Sequence, residues 1–170
     1  MSELKENKTY PVHVFRFQVD FREQFIGSKA EGSKVVLCSG AFSECSGLEA
    51  SMEPRVIKEG GRNWGAIQRV GKTTFATLVL KRGMTQTRDL WKWYEFVGTG
   101  KYAQRLNAVI TLFDTSGQSV LAWQLTNAMP VKFKAADLDA KGTDVAIEEL
   151  HLAHEGLSMV QKKDTIAKLA

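Results

Sequence analysis

The stretch LTNAMPVKFKAADLDAKGTDVAIEELHLAHEGL, Leu125–Leu157, carries the reading of this chain. In its first part Val131 and Phe133 alternate with Lys132 and Lys134, the period of two that a half-buried strand requires. The second part, from Asp144, admits two readings. Ala146, Leu150, Ala153 and Leu157 fit a helical spacing, and Glu and Ala favour helix. As a strand, Val145 and Ile147 alternate, then Leu150 and Leu152 alternate in the opposite phase. That slip would need a bulge near Glu148 and Glu149. Local propensity leans to helix.

Outward from this stretch, strand signals dominate. Phe15, Phe17, Val19 and Phe21 face one way within Val14–Phe21, and Arg16, Gln18 and Asp20 the other. After a Gly/Ser/Lys-rich break at Gly27–Lys34, Val35–Leu37 and Ala41–Cys45 are short strand candidates around Ser39-Gly40. Phe75–Leu80 is rich in β-formers. Leu106–Phe113 and Ser119–Leu125 flank the Gly-containing loop Asp114–Gln118 as a hairpin, and Ala128–Lys134 follows. Many short strands between turns point to a mainly β fold, a barrel or sandwich.

One helix breaks the pattern. Leu90, Trp93, Tyr94 and Val97 make a single apolar stripe. Thr87 suits its cap, Asp89 its first turn and Gly98 the position after its end. Trp91 and Phe96 lie off the stripe. They either wrap the flank of the barrel or contact another chain.

A chain of 170 residues, 44% hydrophobic and 25% charged, is expected to form one soluble domain spanning 1–170. Only 3 prolines and no biased tract argue against a long disordered region. The net charge of +4, from 23 basic and 19 acidic residues, is too small to indicate nucleic-acid binding. No apolar run approaches the roughly 20 residues of a membrane span, and the polar start MSELKENKTYP shows no secretory signal. Cytoplasmic synthesis is the expectation, with Cys38 and Cys45 as free, half-buried thiols.

Catalytic patterns fail one by one. GAIQRVGKTT, Gly65–Thr74, imitates a phosphate loop, but that loop needs glycine at 66, where Ala66 stands. It also runs into β-rich FATLVL rather than a helix N-terminus. His151 and His154 would share a face on a helix but not on a strand, and no third ligand accompanies them. Asp137, Asp139 and Asp144 lack the spacing of a calcium loop and read as turn caps. No enzyme activity, metal or cofactor is expected.

Gly47–Gly65 is different. It carries Pro54 and Gly60-Gly61, mixes charges, and has only Met52, Val56 and Ile57 as weak apolar anchors. A segment this long without a core of its own is either a mobile surface hairpin or is ordered by something else.

Several motifs in order resemble the tail-tube proteins of contractile phages and phage-derived injection systems. FRFQVDF (Phe15–Phe21) looks like the family's opening strand, and FSECSGLE (Phe42–Glu49) is similar to its F-S-E-x-S-G-L signature. EGG (Glu59–Gly61) and LKRGMT (Leu80–Thr85) follow, and LTNAMPVKF (Leu125–Phe133) carries Met129 where Trp is usual. DVAIEELHLAHEGL (Asp144–Leu157) is the most specific match. The stretch Gln24–Leu37 and the tail from Ser158 exceed the usual pattern, which fits a specialised position such as a first ring on a baseplate.

The resemblance implies a strand at Asp144–Leu157 and a β-barrel-like subunit with one flanking helix. It implies a core at about 10–160, a stacking arm at about 47–65 and a tail at about 161–170. Six copies would form a ring. Rings would stack into a hollow tube inside a sheath, conduct DNA or protein cargo, and meet baseplate or tube-initiator proteins. Type VI haemolysin-coregulated proteins share this architecture. Assembly would take place in the bacterial cytoplasm, and the product would be part of a virion or injection particle. Glu49, Met52, Glu53, Arg55, Val56, Ile57, Lys58 and Arg62 become the inter-ring contacts, with Trp91 and Phe96 as further partner contacts. A ligand-binding β-barrel is the remote alternative.

Overall fold

The computed structural model describes residues 13–14, 16–25, 34–35, 42–61, 64–100 and 104–160. Its strands are β1 (Phe17–Phe25), β2 (Lys34–Val35), β3 (Glu44–Ser46), β4 (Ala50–Met52), β5 (Arg55–Ile57), β6 (Ile67–Arg69), β7 (Thr73–Phe75) and β8 (Leu78–Gly83). The helix α1 (Asp89–Gly98) follows, then β9 (Gln104–Phe113), β10 (Ser119–Lys134), β11 (Ile147–Ala153) and β12 (Gly156–Val160).

Every strand pairing is antiparallel, and β10 is the spine. The main order is β2-β1-β9-β10-β11-β8-β3, with β12 also on β10. Thr126 pairs with Gly156 and Met129 with Ala153 in one register, so β12 and β11 run along β10 almost as a single strand. They part at His154 and Glu155, where Asn127 takes a left-handed backbone, φ 52. Asparagine tolerates that conformation better than other side-chain-bearing residues. Its Nδ2 donates to Glu155 Oε2 at 2.7 Å, and the Glu155 N–H donates to the Thr126 carbonyl at 3.0 Å. The bend lets one long ribbon serve two sheet halves that share a core.

That core is the inward set of each strand: Phe21, Leu78, Leu80, Ile110, Leu125, Leu150 and Leu152. Leu90 and Trp93 of α1 enter it, Trp93 meeting Phe21 edge to face at 5.7 Å. The result is the expected mainly β, barrel-like sheet with one flanking helix.

The strand that the resemblance implies at Asp144–Leu157 is present as Ile147–Ala153, against the helical leaning of local propensity, and it runs without the bulge expected at Glu148 and Glu149. Glu148, Leu150 and Leu152 share the inward face; the apolar Ile147 and Val145 point out. Ser119–Leu125 and Ala128–Lys134 are one strand, irregular between Leu125 and Ala128, and the β10–β11 register shifts between Pro130 and Lys132. The segment expected at Phe75–Leu80 divides into β7 and β8 at Ala76 and Thr77. Arg88, in a left-handed conformation at φ 54, takes the N-cap position that Thr87 was expected to fill, and it makes no side-chain cap hydrogen bond. Gly98 is the last residue of the helix. The Thr87 hydroxyl instead donates to Asp89 Oδ1. Phe15, Cys38 and the tail from 161 lie outside the described residues.

Candidate assembly surface

Gly47 begins the departure from the barrel. Its φ is +91°, and a Cβ there would strike the Thr77 carbonyl, so glycine is required where the chain leaves β3 beside β8. The Ala76 N–H donates to the Glu49 carbonyl at 3.1 Å and starts a second, two-stranded ribbon. At its base β4 pairs with β7; further out β5 pairs with β6. The arm is therefore a hairpin whose return strand is the segment that imitates a phosphate loop. The sequence reading placed only the outgoing strand in the arm.

The two halves of the hairpin differ in register by one residue. Pro54 has no N–H to give to a ladder, and across from it Gly71 lets the return strand approach so closely that a Cβ would collide with the Glu53 carbonyl. At the base Ser51 and Thr74 hydroxyls share a 2.9 Å hydrogen bond. Phe75 lies 5.4 Å from the His154 ring and ties the arm to the bend in the spine.

Beyond the kink, direct partners on one face are Arg55 with Arg69 and Ile57 with Ile67; Val56 with Gln68 takes the other. Like charges directly opposite oppose pairing. Neither arginine has an ion pair or hydrogen bond to a described residue. Glu49, Glu53, Lys58, Met52 and Val56 are exposed and Ile57 is half-buried, while Arg62 lies outside the described residues. Trp64, 91% exposed, and Val70 extend the apolar surface, and sequence reasoning missed both. The stretch Gly65–Thr74 stands out only for its likeness to a nucleotide motif, and it has no clean apolar–polar alternation to mark a strand.

The helix aromatics behave differently. Trp91 packs edge to face on Phe133 at 5.4 Å and lies 5.8 Å from Tyr94, yet remains 44% exposed. Phe96 is half-buried. The outer flank is thus made by Trp91 and Phe133 together.

Where α1 meets the sheet, Arg82 is 1% exposed and answers two acids. Its Nε donates to Glu148 Oε1 at 2.6 Å, and its Nη2 and Nη1 donate to Asp89 Oδ1 and Oδ2 at 3.1 and 3.4 Å. Partial burial would raise the Asp89 carboxyl, but hydrogen bonds from Arg82, Thr87 and its own backbone outweigh it and hold it at about 2. On β3, burial and then the Glu44 carboxylate push the free Cys45 thiol up to about 11, so it is inert at neutral pH. His151 lies 3.5 Å from Glu149, and His154 Nδ1 meets the Gly156 carbonyl at 3.1 Å. Asp139 caps its own turn, accepting from the Lys141 N–H at 3.0 Å. These polar groups brace strands and turns.

The sheet thus carries a hairpin arm, and comparison with known proteins says which family the chain belongs to. The sequence pattern of the T4-like virus tail tube protein gp19 family matches residues 13–158. This chain belongs to that family, the tail-tube proteins of contractile tails and injection systems. A chain in the six-fold symmetrised cryo-EM structure of the anti-feeding prophage baseplate is 28% identical, with TM-score 0.74 over 91% of this chain and 99% of that one. A chain of the PVC extracellular contractile injection system, in its extended sheath–tube complex, shares the fold at 22% identity and TM-score 0.71, covering 89% of this chain and 92% of that one. Hcp1 from Flavobacterium johnsoniae is more distant, at 13% identity and TM-score 0.49 over 82% and 94%. Curated protein sequences gave no match.

Proposed function

We propose that this protein forms six-membered rings that stack into the hollow inner tube of a contractile particle. The hairpin arm carries the reading: a kinked ribbon that leaves the barrel with Met52, Val56, Trp64 and Val70 exposed. In an isolated subunit such an arm buries little to offset an ordering cost of about 1–2 kcal/mol per residue. A neighbouring ring supplies that burial. Glu49, Met52, Glu53, Arg55, Val56, Ile57, Lys58 and Arg62 act there, joined by residues of the return strand. Ring closure follows from the sheet. β2 and β3 are its terminal strands, and a heterologous contact that closes by rotation pairs such edges between subunits.

The wet face of the sheet suits a channel. Glu44, Lys81, Glu149 and Lys134 sit in direct register on β3, β8, β11 and β10, so signs alternate across four strands. A balanced polar wall lets DNA or protein cargo pass without adhering. The outer partners are a sheath protein and the baseplate or tube-initiator proteins. Subunits assemble in the bacterial cytoplasm and end in a virion or injection particle. The 28% identity to a chain of a baseplate structure favours one variant of this reading, a tube-initiator or adaptor ring of the same fold.

Native mass spectrometry and electron microscopy test the reading. Rings of six and stacks are expected. Reversing Arg55 and Lys58 together shortens the stacks and leaves subunit melting unchanged. A monomer at high concentration, with no assembly when sheath and baseplate partners are supplied, overturns it.

A further inference from the structure

We propose that the arm of one copy docks, through its Arg55–Arg69 and Ile57–Ile67 face, into a groove beneath the β10–β11 loop of a second copy. The inference rests on the stacking role of the arm and names the surface that receives it. The groove is lined by Asp137, Asp139 and Asp144 together with Leu138, Val145 and Ile147. Leu138 is 87% exposed and Val145 77%, so the apolar walls face solvent in the single subunit.

Placement is the first argument. β8 pairs with β11 from Leu78 opposite Leu152 to Gly83 opposite Ile147. The arm leaves the sheet at the Leu78 end; the β10–β11 loop closes at the Gly83 end, where the Met84 N–H donates to the Ala146 carbonyl at 2.8 Å. About 17 Å of strand separates the ends, at ~3.4 Å per residue. Donor and acceptor thus lie at opposite poles of the same strands. A translated copy brings one pole against the other, which is the requirement for a head-to-tail stack.

Chemistry is the second argument. Arg55 and Arg69 oppose each other without an acid among the described residues, a repulsive pair that an incoming carboxylate relieves. The groove presents carboxylates: Asp144 is exposed, and Asp137 has only a 3.5 Å contact with Lys134. Ile57 and Ile67 lie beside the arginines on the same face, as Leu138 and Val145 lie beside the aspartates. Positive and apolar on one pole meets negative and apolar on the other, the pattern that fixes register in an interface.

The test is a charge swap. R55E/R69E and D137K/D144K are each expected to lower the stacking constant about tenfold or more, read as shorter tubes at a given concentration. Combining all four substitutions in one chain restores length. Circular dichroism and melting confirm that each variant keeps the wild-type fold. A second measurement needs no charge change: with Cys38 and Cys45 replaced by alanine, a chain carrying I57C and V145C should form disulfide-linked multimers on oxidation. Shortened tubes from R55E/R69E alongside full-length tubes from D137K/D144K, or monomers only in the cysteine chain, would overturn the groove assignment while leaving the arm's stacking role standing. Full-length tubes from both charge variants would remove the charge pairing and count against charge-guided stacking as well.

Discussion

Replacing Arg82 with methionine should be the most damaging single change in the barrel. The substitution keeps much of the aliphatic stem but removes the only cation among the described residues that reaches Glu148, a residue 4% exposed. A buried carboxylate is left facing the apolar core without its 2.6 Å donor. Removing one partner from a buried pair costs about 3–5 kcal/mol, because the survivor stays charged and unsolvated. In a chain of 170 residues this lowers the melting temperature by about 6–20 °C, at ~2–4 °C per kcal/mol. Asp89 contributes less to the loss, since it lies at the helix start with water beside it.

The pattern across variants distinguishes this account from a simple packing defect. E148Q keeps an oxygen acceptor for Arg82 Nε and leaves the guanidinium paired with Asp89, so it should cost only about 1 kcal/mol. R82M/E148L removes both buried charges and should melt above R82M alone, although it changes more atoms. Urea and thermal melts at concentrations too low for ring formation give the numbers, since assembly would add its own stability. If R82M costs under about 1 kcal/mol, or if the double variant melts at the sum of the two single losses, the buried charge is not what matters.

Acid should loosen the same junction. Asp89 is held at about 2, below its ordinary 3.8, so its contribution is complete above about pH 4 and disappears as pH falls towards 2; D89N should flatten that stretch of the stability curve. Cys45 should react negligibly with iodoacetamide at neutral pH and faster as pH approaches 11, measured in a chain with Cys38 replaced by serine. G71A should strain the arm where the Glu53 carbonyl crosses, by about 1–3 kcal/mol locally, and hasten protease cleavage within 55–69 while the barrel melts nearly as before.

The sequence displayed the sheet wherever one face was apolar and the other wet, as in Phe17–Phe21 and Leu106–Phe113. Local periodicity alone misled at Ile147–Ala153, where the family resemblance implied the strand, and for one physical reason. Glu148 occupies an inward position because Arg82 neutralises it, so the polar residue is inside and Ile147 outside, and the alternation looks shifted. Periodicity assigns faces by polarity and cannot see a partner 66 residues away. The long β10 strand looked like two because Asn127 interrupts its register with a left-handed residue. Half of the arm was legible as a coreless, glycine-rich segment. Its return strand was not, because Gly71 and Lys72 imitate a phosphate loop, whereas Gly71 serves a close backbone crossing. The groove at the opposite pole was invisible, since only the pairing of β8 with β11 places Val145 far from the arm.

The buried cluster and the groove belong to one mechanical unit. Glu148 follows directly after Ile147, the groove's inner wall, and Ala146 is fastened to Met84, two residues beyond Arg82. Arg82 in turn holds Asp89 at the head of α1. The receiving pole is therefore anchored by two ion pairs and by the β8–β11 ladder, whereas the arm is held at its base by three residue pairs and a ring contact. A stack built this way joins a compliant donor to a rigid acceptor. The arm can adjust as it enters, and the ordering cost is confined to one side of the contact. In the proposed stack, force along the tube would pass from the groove through Ile147 and Glu148 into the sheet, and along β8 to the next arm. On this argument R82M should weaken stacking even under conditions where every subunit remains folded, because it loosens the pole that must stay fixed. Tube length measured well below the R82M melting temperature decides it. Wild-type length there would mean that the groove holds its shape without the buried charges.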